Sequence, residues 1–228
     1  MSSINVLLVD CMLYMRDVED DSFDLAIVDP PYFNGPDKLG YYGKGSRSVT
    51  GVRRPDYEAK DWDVPGEDYF RELFRISKHQ IIWGCNHYAG YIPHVGRIVW
   101  NKVNQSSSFS DAEIASCSLH DSTRMFDFMW NGMCQGKSIS EGRVMQGNKK
   151  LNEKRIHPTQ KPVILYDWLL REYAKPGMRI FDSHHGSGSL SISADKYGCD
   201  LVACEIDSSM YVKQQKRYAN YKAQLRLF

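Results

Sequence analysis

The chain has 228 residues, 42% apolar and 25% charged, with a formal net charge of +1; this suits one α/β domain with a substantial core and excludes a uniformly basic or acidic polyelectrolyte. Six cysteines without a Cys-x-x-Cys pair, several of them in apolar runs, predict buried reduced thiols and a cytoplasmic protein. No secretory signal is expected, no apolar run is long enough to span a membrane, and the seven histidines show no metal-ligand spacing, so no metal site is read here.

In chain order, Ile4 to Val9 reads as a strand ending at Asp10, and Met12 to Val18 as a helix returning the chain to the sheet. Phe23 to Val28 is the next strand, and it stops at Asp29-Pro30-Pro31-Tyr32. Each proline fixes φ and lacks an N–H, so the strand ends in a stiff turn holding free carbonyls, one acceptor-only carboxylate and one flat ring. Such a turn suits a planar ring bearing an amine, because the ring can stack and each amine hydrogen can meet an oxygen. Residues 33–61 show no sustained periodicity and carry Lys38, Lys44, Arg47, Arg53 and Arg54, which predicts a long functional loop. Glu67 to Ser77 has a helical apolar pattern, followed by strands predicted at Gln80 to Cys85, Arg97 to Lys102 and Glu113 to Ser118.

Residues 119–155 turn to Gly, Asn, Lys, Met and aromatic residues with weak periodicity, as in an inserted segment whose surface serves contacts. Lys137, Arg143, Lys149, Lys150, Lys154, Arg155 and Lys161 form a second basic stretch, where a polyanion can bind. Pro162 to Tyr173 is a helix with proline at its start, Met178 to Phe181 a strand ending at Asp182, and Leu190 to Tyr197 a helix. Leu201 to Cys204 is a strand ending at Glu205, and Ser208 to Leu225 a long terminal helix. Strands alternating with helices predict a mostly parallel sheet.

Four predicted strands therefore end in an acid: Asp10, Asp29, Asp182 and Glu205. Ligands of open α/β sheets sit outside the carboxyl ends of the strands, so these acids are expected to share a cleft. After Asp182, the run Ser183-His184-His185-Gly186-Ser187-Gly188-Ser189 makes a turn whose glycines allow close backbone approach. A dinucleotide turn would have a third glycine where Ser191 stands, and a P-loop would have a lysine after the glycines. The turn leaves open a nucleoside without pyrophosphate, with Glu205 accepting from its ribose hydroxyls, as well as a purely structural tight turn.

With His157-Pro158-Thr159-Gln160-Lys161-Pro162 added between the two strand-end motifs, order and spacing resemble the S-adenosylmethionine-dependent DNA amino-methyltransferases. These modify adenine N6 or cytosine N4, and the group in question places its target-amine motif before its cofactor motif. The likeness covers most of the chain outside 33–61 and 119–155. It implies a Rossmann-like class I methyltransferase domain over residues 1–228, with a DNA-contacting loop at 33–61 and a target-recognition segment at 119–155. Asp29, Pro30 and Tyr32 would then act on a flipped-out base. The cofactor would be held by Asp10, Thr159, Gln160, Lys161, Asp182, His184, Gly186, Ser187, Gly188, Ser189 and Glu205. Lys44, Arg47, Arg53, Arg54, Arg124, Arg143, Lys149 and Lys150 would contact DNA, with Arg124, Trp130, Asn131, Arg143 and Gln146 as candidates for reaching base edges. The family usually has Asp-Pro-Phe where this chain has Asp182-Ser183-His184, so the cofactor contact at His184 differs from the pattern.

The expected activity is site-specific methylation of adenine N6 in double-stranded DNA, since Asp at position 29 leans towards adenine and Ser towards cytosine. Cytosine N4 is the alternative by the same machinery. A DNA-binding protein that keeps the fold without catalysis is the alternative of another class, and Asp rather than Asn at position 29 argues against amide-modifying relatives. The family often forms homodimers, and a restriction endonuclease would be a separate protein.

Overall fold

The structure, a computed structural model, describes residues 2–32, 63–104, 110–131, 134–157 and 159–225. The expected 33–61 loop, with Lys44, Arg47, Arg53 and Arg54, lies wholly outside the described residues, as does Pro158.

Strand β2 (Leu25–Val28) is buried along its whole length. Leu25 and Ile27 face one apolar cluster and Ala26 and Val28 another, as a period of two requires for a strand covered on both faces. Its neighbour β3 (Gln80–Trp83) divides likewise, with Ile81 and Trp83 on the first face and Ile82 on the second. The second face is covered by α1 (Cys11–Arg16) and α2 (Glu67–Ile76), which contribute Met15, Tyr69, Phe70, Leu73 and Ile76. Leu165, Leu169 and Leu170 of α3 (Val163–Tyr173) and Leu190 and Ala194 of α4 (Ser189–Tyr197) cover the first.

The remaining strands are β1 (Ile4–Leu8), β4 (Gly96–Asn101), β5 (Ala112–Cys117), β6 (Thr123–Asp127), β9 (Arg179–Asp182) and β10 (Asp200–Glu205). With β2 and β3 they form one sheet in the order β1-β10-β9-β2-β3-β5-β4-β6. Every pairing in it is parallel except those of β5, which runs against both neighbours. A short hairpin, β7 (Trp130–Asn131) with β8 (Cys134–Gln135), follows β6, and α5 (Ser208–Leu225) ends the chain. From β9 the chain proceeds through α4 to β10 on one side, and from β2 through α2 to β3 on the other, so β9 and β2 flank a topological switch point.

The expected elements are present with shifted ends. The unexpected ones are the β7–β8 hairpin and β6, one edge strand of the main sheet, all within the 119–155 segment. Thr123, Arg124 and Met125 are exposed, so the strand lacks the apolar run or strict alternation that marks a strand in sequence. Phe126, Phe128 and Trp130 are core residues. Trp130 is therefore not available to read a base: its indole N–H donates to the Gln160 carbonyl at 2.9 Å, and the Arg155 guanidinium lies 4.1 Å from its ring centre.

Candidate active site

The acids at the ends of β1, β10, β9 and β2 lie on adjacent strands along one edge of the sheet: Asp10, Glu205, Asp182 and Asp29. Because β5 is antiparallel, it brings its beginning to this same edge, and its second residue, Glu113, faces Asp29 across a lysine. That lysine is Lys161, in the segment leading into α3. Its ammonium pairs with Asp29 Oδ2 and lies 3.0 Å from Glu113 Oε2. Glu113 pairs in turn with Lys102, just past β4. The lysines sit over indole rings, Lys161 5.4 Å from the centre of Trp83 and Lys102 5.1 Å from that of Trp100, a favourable arrangement for partly desolvated cations.

Burial pushes the Asp29 carboxyl up, and the Lys161 charge opposes the shift. Burial also works against the charge of Glu113, but Lys161 and Lys102 together bring it down to about 2. Asp29 Oδ1 is buried and has no hydrogen-bond partner among the described residues. An unpartnered buried acceptor is costly to fold, so Oδ1 is an acceptor available to a further donor.

The turn after Asp29 is held from β3 and the segment behind it. The Tyr88 hydroxyl donates to the Pro31 carbonyl. The Tyr32 ring stacks on His87, with centroids 4.7 Å apart and planes 5° apart. Gly84 lies beneath this ring at φ +68°, and a Cβ there would come within 2.3 Å of Tyr32 Cδ1 and Cε1. This position needs glycine for two reasons, the left-handed backbone and the ring lying against it.

At the end of β9, Asp182 accepts from the His184 N–H at 3.1 Å and from His185 Nδ1 at 2.9 Å, while His185 Nε2 takes the Ser191 hydroxyl at 2.7 Å. His185 is thereby fixed in the interior. His184, half-buried, has Nδ1 2.8 Å from Ser183 Oγ, which lies 2.7 Å from the Tyr69 hydroxyl. Burial pushes the His184 imidazole down to about 4, against the pull of Asp182 and Asp10, so it is neutral at physiological pH. Ser183 thus replaces the family's proline with a hydroxyl that ties His184 to α2. Glu205 accepts from Gly186 N–H at 2.7 Å and Asp207 N–H at 2.8 Å, one bond to each oxygen, leaving each a further lone pair. Asp10 caps α1 by accepting from Met12 N–H at 2.7 Å.

Other site residues read from the sequence have visible partners. Ser189 Oγ donates to the Lys161 carbonyl at 2.7 Å, lies 3.3 Å from Ser187 Oγ and accepts from Arg217 at 3.0 Å. Gly188, at φ +74°, caps α4. Thr159 is exposed and bonds His157 at 2.9 Å. Gln160 is buried and engaged, donating to Glu153 Oε1 at 2.6 Å and accepting from Ile156 N–H at 2.9 Å. Its side chain braces the segment before α3.

Among the basic residues, Lys149 and Lys150 are exposed on a 3-10 turn capped by Asn148. Arg143 is paired with Asp127 through Nε at 3.0 Å and a second nitrogen at 3.2 Å. Arg124 lies near the start of β6, close enough to Tyr173 at the far end of α3 to bias its hydroxyl, and is not brought to the edge that holds Asp29. Glu113, Lys102, Tyr88 and Gly84 escaped the sequence reading; Gly84, closing an apolar strand, carried the one signal that could have drawn attention.

An open, mostly parallel sheet with acid-ended strands around its switch point has the Rossmann-like architecture of the class I methyltransferases. M1.HpyAVI, in a structure with S-adenosylmethionine, superposes with a TM-score of 0.57 at 16% identity over 94% of this chain and 99% of that one. The cytosine-N4-specific PvuII DNA methyltransferase gives 0.57 at 12% identity over 96% of this chain and 87% of that one. In sequence, the type II methyltransferase M.HinfI of Haemophilus influenzae is 23% identical over 95% of this chain and 68% of its own length. For M2.MboI of Moraxella bovis the values are 24%, 95% and 88%. Residues 99–216 match the N6/N4 methyltransferase family model, described as a DNA methylase, and the chain belongs to that family.

Proposed function

We propose that the protein methylates adenine N6 of a base flipped out of double-stranded DNA, with S-adenosylmethionine as the cofactor. The observation that carries the reading is Asp29: one carboxylate oxygen is clamped by Lys161, and the other is buried with no partner among the described residues. The residues around the glycine turn fit the cofactor. Asp10, Asp182 and Glu205 suit a ligand bearing a sulfonium and an ammonium, and Glu205 keeps lone pairs for two ribose hydroxyls. A Cβ added at Gly186 would meet nothing closer than the His184 carbonyl at 3.9 Å, so the backbone is open to close approach there. When bound, the cofactor supplies an electrophilic methyl group.

The exocyclic amine of adenine is a poor nucleophile because its lone pair is delocalised into the ring. Donation of its hydrogens to Asp29 Oδ1 and the Pro30 carbonyl favours a pyramidal nitrogen and aims the lone pair, which is a matter of positioning and fixed charge. Asp29 also offsets the positive charge that grows on nitrogen as the methyl is taken from the sulfonium, and receives the proton the nitrogen then loses; Tyr32 supports the base by stacking. A base inside a duplex cannot reach this edge, so it is extruded. Lys149 and Lys150, exposed on the turn after the β7–β8 hairpin, would hold phosphates, whereas Arg143 would have to leave Asp127 to do so. Adenine is favoured by Asp rather than Ser at position 29, since the fold itself is shared with the cytosine-specific PvuII enzyme.

Mass spectrometry of nucleosides from DNA incubated with the protein and S-adenosylmethionine tests the reading directly. N6-methyladenine is expected; N4-methylcytosine would replace the base assignment, and no methylated nucleoside would refute the activity. The Tyr32 platform gives a second expectation. Gly84→Ala, which drives a methyl into the ring, should forfeit stacking of about 1–3 kcal/mol per base, seen as a lower kcat/KM for DNA with cofactor affinity retained in calorimetry.

A further inference from the structure

Lysine 161 stands in a row of alternating charges, Lys102, Glu113, Lys161 and Asp29, that ends at the buried oxygen assigned to the target amine. The Lys161 side chain is 4% exposed, so its position is set by the row and by the Trp83 ring. Stability alone is a weak reason for such an arrangement, because desolvating the charges offsets much of what their attraction returns and an apolar set of similar volume often does as well. The row does something an apolar set cannot: it fixes the rotamer and the charge of Asp29.

We propose that Lys161 is a positioning residue for methyl transfer: it clamps Asp29 Oδ2 and keeps the carboxylate ionised so that Oδ1 accepts from the target amine, with Glu113 and Lys102 locking the lysine in place. The inference rests on the reading of Asp29 given above. Asp29 is faced by Lys161 from the segment before α3, Glu113 from β5, Asp182 from β9, Tyr166 from α3, Tyr88 from behind β3, and Tyr32 from its own turn. Lys161 is the one cation in that set of described residues. Without it, Asp29, largely shielded from water and flanked by the acids Glu113 and Asp182, would take up a proton more readily and lose acceptor strength towards the amine. Lys161 is thereby assigned to the target amine and not to the cofactor.

The test is the pH profile of kcat/KM for DNA, measured beside cofactor affinity and thermal unfolding. In Lys161→Met the acid limb should move up by about one pH unit or more, each unit costing about tenfold in rate at a fixed pH below the limb. Lys161→Arg should keep the limb near that of the parent. Adding Glu113→Gln to Lys161→Met removes a like charge and should bring the limb part of the way back. Should Lys161→Met fail to fold, Lys161→Gln, which keeps a hydrogen-bond donor without the charge, decides in its place and should also move the limb up. An unmoved limb in the folded variants, or a loss confined to cofactor affinity, overturns the proposal. Asp29→Asn separates this from failure of the underlying reading: an active Asp29→Asn enzyme refutes the role of Asp29, whereas an inactive one with unmoved limbs in the Lys161 and Glu113 variants refutes only the role of Lys161.

Discussion

Asp29→Ala is expected to lower methyl transfer by about 10²–10⁴-fold, the range typical of a positioned acid–base group, while cofactor affinity stays near that of the parent. The asymmetry follows from where the side chain is held. One oxygen is held by Lys161 and the other has no partner among the described residues, and Lys161 belongs neither to the glycine turn nor to Glu205. Truncation removes the acceptor and leaves Lys161 paired with Glu113, so the buried ammonium keeps a counter-charge and the fold is expected to survive. Single-turnover methylation followed by nucleoside mass spectrometry, alongside calorimetric titration of S-adenosylmethionine, measures both halves. Turnover at the parental rate would remove Asp29 from the reaction; loss of cofactor binding would move it into the cofactor site.

The strand-end motifs were legible because their physics is local. Two prolines after Asp29 stop a strand whatever lies around it, and glycines after Asp182 permit a turn with positive φ, as Gly186 and Gly188 show. Glu113 and Lys102 were not legible because their place depends on β5 running antiparallel between β3 and β4, a pairing of residues far apart in sequence. Lys161 was legible as a member of a motif, but its partners were not, and the resemblance sent it to the cofactor while the geometry sends it to Asp29. Gln160, beside it, turns inward to brace Glu153 and Ile156. In the 119–155 segment an exposed edge strand has little periodicity, so Trp130 reads as a candidate for base edges, whereas with Phe126 and Phe128 it closes the core. Charges on a long amphipathic helix give the same difficulty, since Arg217 of α5 reads as one of many solvated cations.

Arg217 is where the second large effect is expected: Arg217→Met should destabilise the protein by about 3 kcal/mol, the low end of the range for breaking a buried pair by removing one partner. Its guanidinium holds Glu153 Oε1 at 2.5 Å, the Ser187 carbonyl at 2.7 Å and Ser189 Oγ at 3.0 Å. Glu153 in turn accepts from Val163 N–H at 2.8 Å, satisfying one of the free donors at the start of α3. The pair therefore joins the end of the 119–155 segment, the start of α3 and the glycine turn. Burial already pushes the Glu153 carboxyl up against the opposing charge of Arg217, and removing that charge pushes it further. A carboxyl raised in the folded state favours folding when protonated and loses that contribution as pH rises through its folded value. The deficit of Arg217→Met relative to the parent should accordingly be largest near neutral pH and shrink in acid, as read from urea unfolding across pH. Adding Glu153→Gln removes the stranded charge and should recover much of the stability while leaving Ser187 unanchored. If the turn depends on that anchor, the double variant will fold yet bind S-adenosylmethionine more weakly than the parent; full affinity in a folded double variant would show that the glycine turn holds its shape without α5.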